Sequence, residues 1–257
     1  KEDAEGYDYA MAITPNQSYV TSTLVDFPVL VRLSSERQSG FDPADCGTNG
    51  ENLRFILADG TMLAHEIDYW DVDGESTVWV RVPALTADTV IFALWSPKSG
   101  TVHHLPRDPK AVWCDYVGVW HMNLDGNKVY DSSGNDYTAT NLSPDTVTAA
   151  ANPVVGRAAY STNMFATAVT DLLSANAAKP ISNRSKVTFS GWLSVDSAAL
   201  SDFGSGYFIY KKYVKWGDST GGACVQYLPD FVNNTGYKSA IVQVFLNSGT
   251  GNSNVVN

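Results

Sequence analysis

The sequence is short of positive charge. Its 17 Lys and Arg face 27 Asp and Glu, for a formal net charge of -10. A nucleic-acid groove needs a basic face, so that class of partner is set aside. The balance suits a soluble surface or exported protein and selects no ligand. Cysteine is scarce as well. The chain holds 3, at Cys46, Cys114 and Cys224, and an odd set cannot pair fully within one chain. None stands in a C-x-x-C or other zinc-type spacing, which argues against a structural zinc or a dithiol redox site. One disulfide with one free thiol, or three buried thiols, are both open. No run of about 18 apolar residues occurs, so no membrane span is expected. Gly-x-Ser-x-Gly, Walker and dinucleotide-binding patterns are missing. Helical period is missing over any three turns; only 167–178 offers one or two. No signal peptide is visible, and the polar start Lys1-Glu2-Asp3 reads as a mature N-terminus or as an arbitrary beginning.

What is present has the period of strands. Hydrophobic residues make up 44% of 257, enough for one large core or two ordinary ones. Residues 7–13 alternate polar with apolar, 27–33 and 52–57 are apolar and β-branched, and 61–70 alternate again. Segments 77–82 and 89–95 complete the set. The dipeptides Asp59-Gly60 and Asp73-Gly74 punctuate it. Hairpins need such residues because Gly and Asp tolerate positive φ. The expectation is an all-β chain whose first part is an antiparallel β-sandwich. Residues 97–112 hold Pro97, Gly100, Pro106 and Pro109. Proline removes a ladder donor, so this stretch reads as a linker.

After the linker comes the stretch around which the chain is organised. Trp113-Cys114-Asp115-Tyr116-Val117-Gly118-Val119-Trp120-His121-Met122-Asn123 leads on to Asp131-Ser132-Ser133-Gly134-Asn135. It reads as the opening strand and first polar turn of a second β-domain. Further strands are expected at 187–195, 207–212, 223–227 and 240–245, with Trp192 facing the core. The buried set is expected to include Trp79, Trp95, Trp120 and Trp192, with Val29, Val31, Phe55, Ile91 and Phe189 beside them.

Two resemblances sharpen this. The ordered blocks Asp26-Phe27-Pro28-Val29-Leu30-Val31, Asn52-Leu53-Arg54-Phe55, Asp59-Gly60-Thr61, His65-Glu66-Ile67 and Val78-Trp79-Val80-Arg81-Val82-Pro83 resemble a bacterial domain of unknown function. That domain recurs in large exported proteins, some of them fused to ExbB/TolQ/MotA-type channel subunits. The resemblance covers about residues 5–100 and brings no established activity. Tyr-Val-Gly-Val-Trp-His-Met at 116–122, Asp-Ser-Ser-Gly-Asn at 131–135 and the Phe-x-x-Trp strand at 189–192 resemble laminin-G-like, concanavalin A-like jelly rolls. Together they imply two tandem antiparallel β-sandwiches, a module of unknown function at 1–105 and a jelly roll at 109–257. They place the protein outside the cytoplasm, extracellular or periplasmic. Jelly rolls of this type close on a segment similar to Asp-Glu-Val-Arg-Ile, which this sequence lacks. Ala240–Leu246 is apolar on both faces and only a polar tail follows. A second polypeptide that completes the second sandwich along that open edge is therefore expected; a self-closing jelly roll with a loose tail is the plainer alternative.

Three groups of residues are candidates for chemistry. Asp131, Asn135 and Asp136 crowd oxygens onto one turn and could hold Ca²⁺, which some laminin-G-like domains bind. The plainer reading is an Asx turn, with Asp131 capping backbone and Gly134 at positive φ. Tyr213, Trp216, Asp218 and Tyr237 set aromatic rings among polar groups, as a glycan site does; aromatic side chains more often serve cores. Glu66 and Asp68 stand two apart on one strand face. Glycoside hydrolysis needs two carboxyls about 5–9.5 Å apart, yet a structural bond to backbone or Arg81 is the plainer role for Glu66. The two close-set glutamates of concanavalin-like glucanases are missing, so no catalytic residue is assigned. The functional expectation is a non-catalytic module for glycan or another surface ligand. The alternatives are a structural or adhesive element of an envelope protein linked to an ExbB/TolQ-type system, and a glycoside hydrolase or lyase.

Overall fold

The computed structural model describes residues 4–99, 108–141, 147–151, 153–161, 188 and 190–192, and the backbone of strand segments 173–175, 211–218, 221–229, 238–247 and 253–256. The chain divides into two compact units. The first is Lys1–Val119 with Ser132–Gly134, and the second is Trp120–Asp131 with Asn135–Asn257. The described strands are mostly antiparallel and the described helical segments are single turns.

The first unit is built from β1 (Tyr7–Ile13), β2 (Leu24–Leu33), β3 (Arg54–Leu57), β4 (His65–Tyr69), β5 (Ser76–Leu85) and β6 (Ile91–Pro97). They form two three-stranded antiparallel sheets, ordered β1-β6-β3 and β2-β5-β4. The alternation in the sequence decides which side chains point inward. Val31 and Leu33, Phe55, Val78, Val80 and Val82, and Ile91, Ala93 and Trp95 all enter one buried cluster, so both sheets contribute to one core. Loop residues Phe41, Cys46, Leu53 and Leu63 fill it out. Each fully buried side chain of this kind contributes about 1.5–3 kcal/mol. Trp95 is held on two sides, stacked on Tyr9 at 5.5 Å and edge-on to Phe41 at 5.1 Å.

The Asp59-Gly60 turn follows the expected chemistry, whereas Asp73-Gly74 forms its turn without positive φ. Gly60 has φ +80, and the Asp59 Oδ1 ahead of it accepts the Thr61 N–H at 2.8 Å. The β4–β5 hairpin is closed by Asp71, whose Oδ1 accepts the Asp73 N–H at 3.0 Å and whose own N–H donates to Ser76 Oγ at 2.9 Å. Asp and Gly serve here because a short carboxylate stands in for a backbone acceptor where the ladder ends.

The second unit contains β7 (Leu124–Asp125), β8 (Lys128–Val129), β9 (Ala139–Asn141), β10 (Val147–Ala149), β11 (Ala159–Ser161), β12 (Leu173–Ala175), β13 (Lys211–Asp218), β14 (Gly221–Pro229), β15 (Lys238–Asn247) and β16 (Ser253–Val256). Eight of these form one sheet, ordered β16-β15-β14-β13-β12-β9-β8-β7, while β10 and β11 pair separately. The β12–β13 pair is parallel, a departure from the purely antiparallel expectation.

Several expectations are corrected. Trp192 is 79% exposed, not buried; the described residues around it, 188 and 190–192, lie in no strand, so their alternation has no sheet to refer to. Phe189 lies outside the described residues. Trp95 is buried, but Trp79, Trp120 and Val29 are only partly so. The opening strand expected at 113–123 is absent. Pro109–Val112 forms a helical turn, capped by Asp108 Oδ1 accepting the Ala111 N–H at 2.9 Å, and the chain continues in turns. Within 167–178, where helical turns were expected, the described residues Leu173–Ala175 form strand β12. The edge of β15 is covered in part within the chain: Val244–Asn247 pair with Ser253–Val256, so that Val244 and Phe245 are paired on both edges, by β14 and β16.

Candidate functional site

Strand β5 turns Val78, Val80 and Val82 inward, and alternation therefore sends Thr77, Trp79 and Arg81 to the other face. Register sets Leu30 of β2 and Glu66 of β4 on either side of Trp79. In β4 the neighbours of Glu66 differ sharply. His65 turns into the core and meets the Phe55 ring edge-on at 5.3 Å, while Glu66 shares the outer face with Trp79. An irregularity between Ile67 and Tyr69 sets Asp68 outside the regular pairing, and its Oδ2 accepts the Trp79 indole N–H at 3.4 Å.

A strap made of residues 108–119 covers this outer face. Its first residue is pinned by the Asp108 N–H donating to the His65 carbonyl at 3.1 Å. Trp113 lies edge-on to Trp79, with centroids 5.2 Å apart at 63°, and donates its indole N–H to Glu66 Oε2. The other oxygen, Oε1, accepts from Ser132 Oγ at 2.7 Å. Ser132 belongs to the short segment Ser132–Gly134, which returns to the first unit. There the Ser132 N–H bonds the Val119 carbonyl at 2.8 Å, and Ser133 Oγ reaches the Val117 carbonyl at 3.4 Å. Gly134 has φ +85, which favours glycine, and a Cβ there would press on Lys110 Cγ at 3.0 Å. Glu66 is 7% exposed. A carboxylate this deep persists because two donors from two separate segments satisfy it.

Beyond Trp113 the patch opens to solvent. The Tyr116 ring packs edge-on to Trp113 at 5.0 Å and 87°, and is 39% exposed. Partial burial, and then the Asp115 carboxylate, push its phenol above the usual range. Arg81 Nη2 donates to Asp115 Oδ2 at 3.2 Å and forms an ion pair with Asp26 Oδ1 at the same distance. Asp26 sits at φ +51, a left-handed conformation an aspartate adopts at modest cost. Glu66 thus has a structural set of partners, among them Trp113 and Ser132, which the sequence did not suggest.

The other candidates resolve as follows. Asp131 Oδ2 accepts the Tyr137 N–H at 3.0 Å, and Trp120 Nε1 closes the same turn on the Tyr137 carbonyl at 2.8 Å. Asn135 is exposed, and Asp136, at φ +59, accepts from Thr138 Oγ1 at 3.3 Å. These are the marks of an Asx-type turn, and among the described residues no three His, Cys, Asp or Glu gather as metal ligands. Tyr213 falls at the irregularity of the β13–β14 pairing, Trp216 pairs with Ala223, and Asp218 with Gly221 at the loop end. Tyr237 lies outside the described residues. Among the described side chains, Cys46 is a buried free thiol and Cys114 an exposed one.

Trp113, Tyr116 and Ser132 were not singled out for this role in the sequence. Each lies inside the organising stretch, but reading it as strand hid the indole N–H that Glu66 needs. A buried-face glutamate on an alternating strand was the available signal, since such a carboxylate must find donors somewhere.

In comparisons with known proteins, residues 49–93 are similar to a family described as a domain of unknown function, DUF2341. No curated protein and no solved structure matches. The matched segment runs from the loop before β3 into β6 and includes Arg54, Glu66, Trp79 and Arg81. No helix among the described residues is long and apolar enough to cross a membrane.

Proposed function

We propose that this chain is a non-catalytic binding module of an exported or cell-surface protein, with a glycan or another surface ligand as its target. The observation that carries the reading is the solvent-facing end of the strap. A half-exposed aromatic ring, Tyr116, is backed by a buried indole and lies within reach of the Asp115 charge, and Asp115 in turn is paired with the Arg81 guanidinium. Stacking surface beside polar groups is the chemistry of sugar recognition. In the same proposal the first unit is a β-sandwich, supported by the core that its two sheets share. The second is a concanavalin A-like jelly roll, supported by its long sheet, although the parallel β12–β13 pair is foreign to that pattern. Ca²⁺ at Asp131, Asn135 and Asp136 belongs to the proposal as well. It predicts a lower melting temperature in EDTA; an unchanged one leaves the turn as a turn.

The glycoside hydrolase reading has the weaker support. Its best acid, Glu66, has both oxygens engaged and faces little solvent. A structural or adhesive role is the second reading. The strap favours it, because Glu66 ties two separate segments onto one sheet, as a part built to bear load would. A glycan array on the intact chain separates the first reading from the second: binding to defined glycans supports the module, and none defeats it. Release of reducing sugar from polysaccharides would defeat both in favour of the enzyme.

A further inference from the structure

We infer that Tyr116, Asp115, Arg81 and Asp26 form a subsite for an uncharged pyranose; this rests on the glycan-binding reading above and names the site and the sugar class. A pyranose offers one apolar C–H face and a rim of hydroxyls, each both donor and acceptor. The patch offers a matching set. Tyr116 supplies ring surface, held in place by Trp113, which Glu66 in turn locks through its indole N–H. A platform fixed before binding loses little entropy when it binds. Asp115, whose side chain is 65% exposed, supplies acceptor oxygens beside the ring.

Arg81 supplies donors. Its Nη2 is shared by two carboxylates, at 3.2 Å each, while Nη1 is committed to no acceptor among the described residues. The guanidinium plane is fixed by those carboxylates and by the strand, where the Arg81 N–H donates to the Ala64 carbonyl at 2.9 Å. Charge then selects the sugar. Two carboxylates against one guanidinium leave the patch with a net negative charge, which repels uronates, sulfated sugars and sialylated ends. A neutral hydroxyl pair meets no such penalty. It can accept from Nη1 while donating to Asp115.

The experiment is a glycan array with the intact chain, carrying neutral gluco-, galacto- and manno-oligosaccharides together with uronate-bearing and sulfated ones, followed by titration calorimetry with the strongest neutral binder. Tyr116→Ala and Asp115→Ala are each expected to weaken that binding at least about tenfold, as loss of a stacking or hydrogen-bonding group does. Tyr116→Phe is expected to retain most of it. Asp115 is a surface residue, so its variant keeps the test valid even if Tyr116→Ala fails to fold. Neutral-glycan binding unchanged in both alanine variants would overturn this subsite and leave the binding module standing. Preference for acidic glycans would overturn the charge argument and the subsite with it. Absence of binding to every glycan would overturn the module reading itself.

Discussion

Strand β5 carries Val78, Val80 and Val82 on one face and Thr77, Trp79 and Arg81 on the other. Both faces are covered, by different means. The inner face is closed by the opposite sheet, through Phe55, Ile91, Ala93 and Trp95. The outer face is closed by the strap, through Trp113, Glu66 and Ser132. Inside, the attraction is non-directional and many side chains share it. Outside, it depends on one carboxylate meeting two donors, with aromatic edges packed around them. The inner layer therefore tolerates shape-conserving exchange, whereas the outer layer depends on the identity of single atoms.

The largest expected effect lies in the inner layer. Phe55 is 1% exposed and touches both the core cluster and His65. Phe55→Ala should cost about 3–5 kcal/mol through lost transfer energy and the cavity left behind. Denaturant unfolding of the intact chain, followed by tryptophan fluorescence, reads it. An effect under about 1 kcal/mol would place Phe55 outside a close-packed core. Next comes the outer layer. Glu66→Ala strands the Trp113 indole N–H and removes the acceptor of Ser132, so it should cost about 1–3 kcal/mol. Glu66→Gln keeps one acceptor and should fall between. If Glu66→Ala leaves both unfolding and the Trp113 environment unchanged, the strap is not held in the way described.

That contrast also explains what the sequence disclosed. The six strands of the first unit were legible because period-2 alternation is local, and the Asp59-Gly60 and Asp71–Gly74 turns mark their ends. The strap was not legible. Trp113 and Tyr116 read as a strand because aromatic and β-branched neighbours are common to strands and to any buried packing. The partner of Trp113, Glu66, lies far back in the chain, and nothing local to 113–116 announces it. Trp192 shows the same limit from the other side: a strand-like run predicts burial only if a sheet receives it, and there Trp192 is exposed. The pairing of the last residues of β15 was not foreseen for a related reason. The polar tail carries Val255 and Val256 within a short pairing segment too weak to register as a strand by composition.

Smaller still is the rim of the outer layer. Asp115 and Arg81 meet at 3.2 Å with much of Asp115 in water. Asp115→Ala should alter stability by about 0–1 kcal/mol, less at high salt, because exposed pairs gain little and are screened. A larger loss, insensitive to salt, would show that the ion pair and not Glu66 anchors the strap.

The least perturbing test uses the cysteines, since one thiol reports on each layer. Cys46 is fully buried in the inner core, and Cys114 is exposed on the strap beside Trp113. Burial first, then the carboxylates of Asp45, Asp42 and Glu51, push the Cys46 thiol up to about 12 from its ordinary 9.0. The thiolate is the reactive form, so at pH 8 Cys114 should label quickly with a thiol reagent and Cys46 only on unfolding. Cys114→Ser should therefore remove one fast equivalent, and Cys46→Ser none. The sign of the pH dependence follows from the same shift. A thiol held protonated in the fold contributes stability that is fully present below pH 9.0 and is lost as pH rises toward about 12, because the unfolded chain releases its proton first. Stability of the wild type should thus fall over that window more steeply than that of Cys46→Ala. Equal slopes would mean that Cys46 reaches solvent and that the inner layer is open at its loop end. Fast labelling of Cys114 but not of Cys46, together with the steeper wild-type slope, would locate the more yielding surface of β5 on the side that the strap covers.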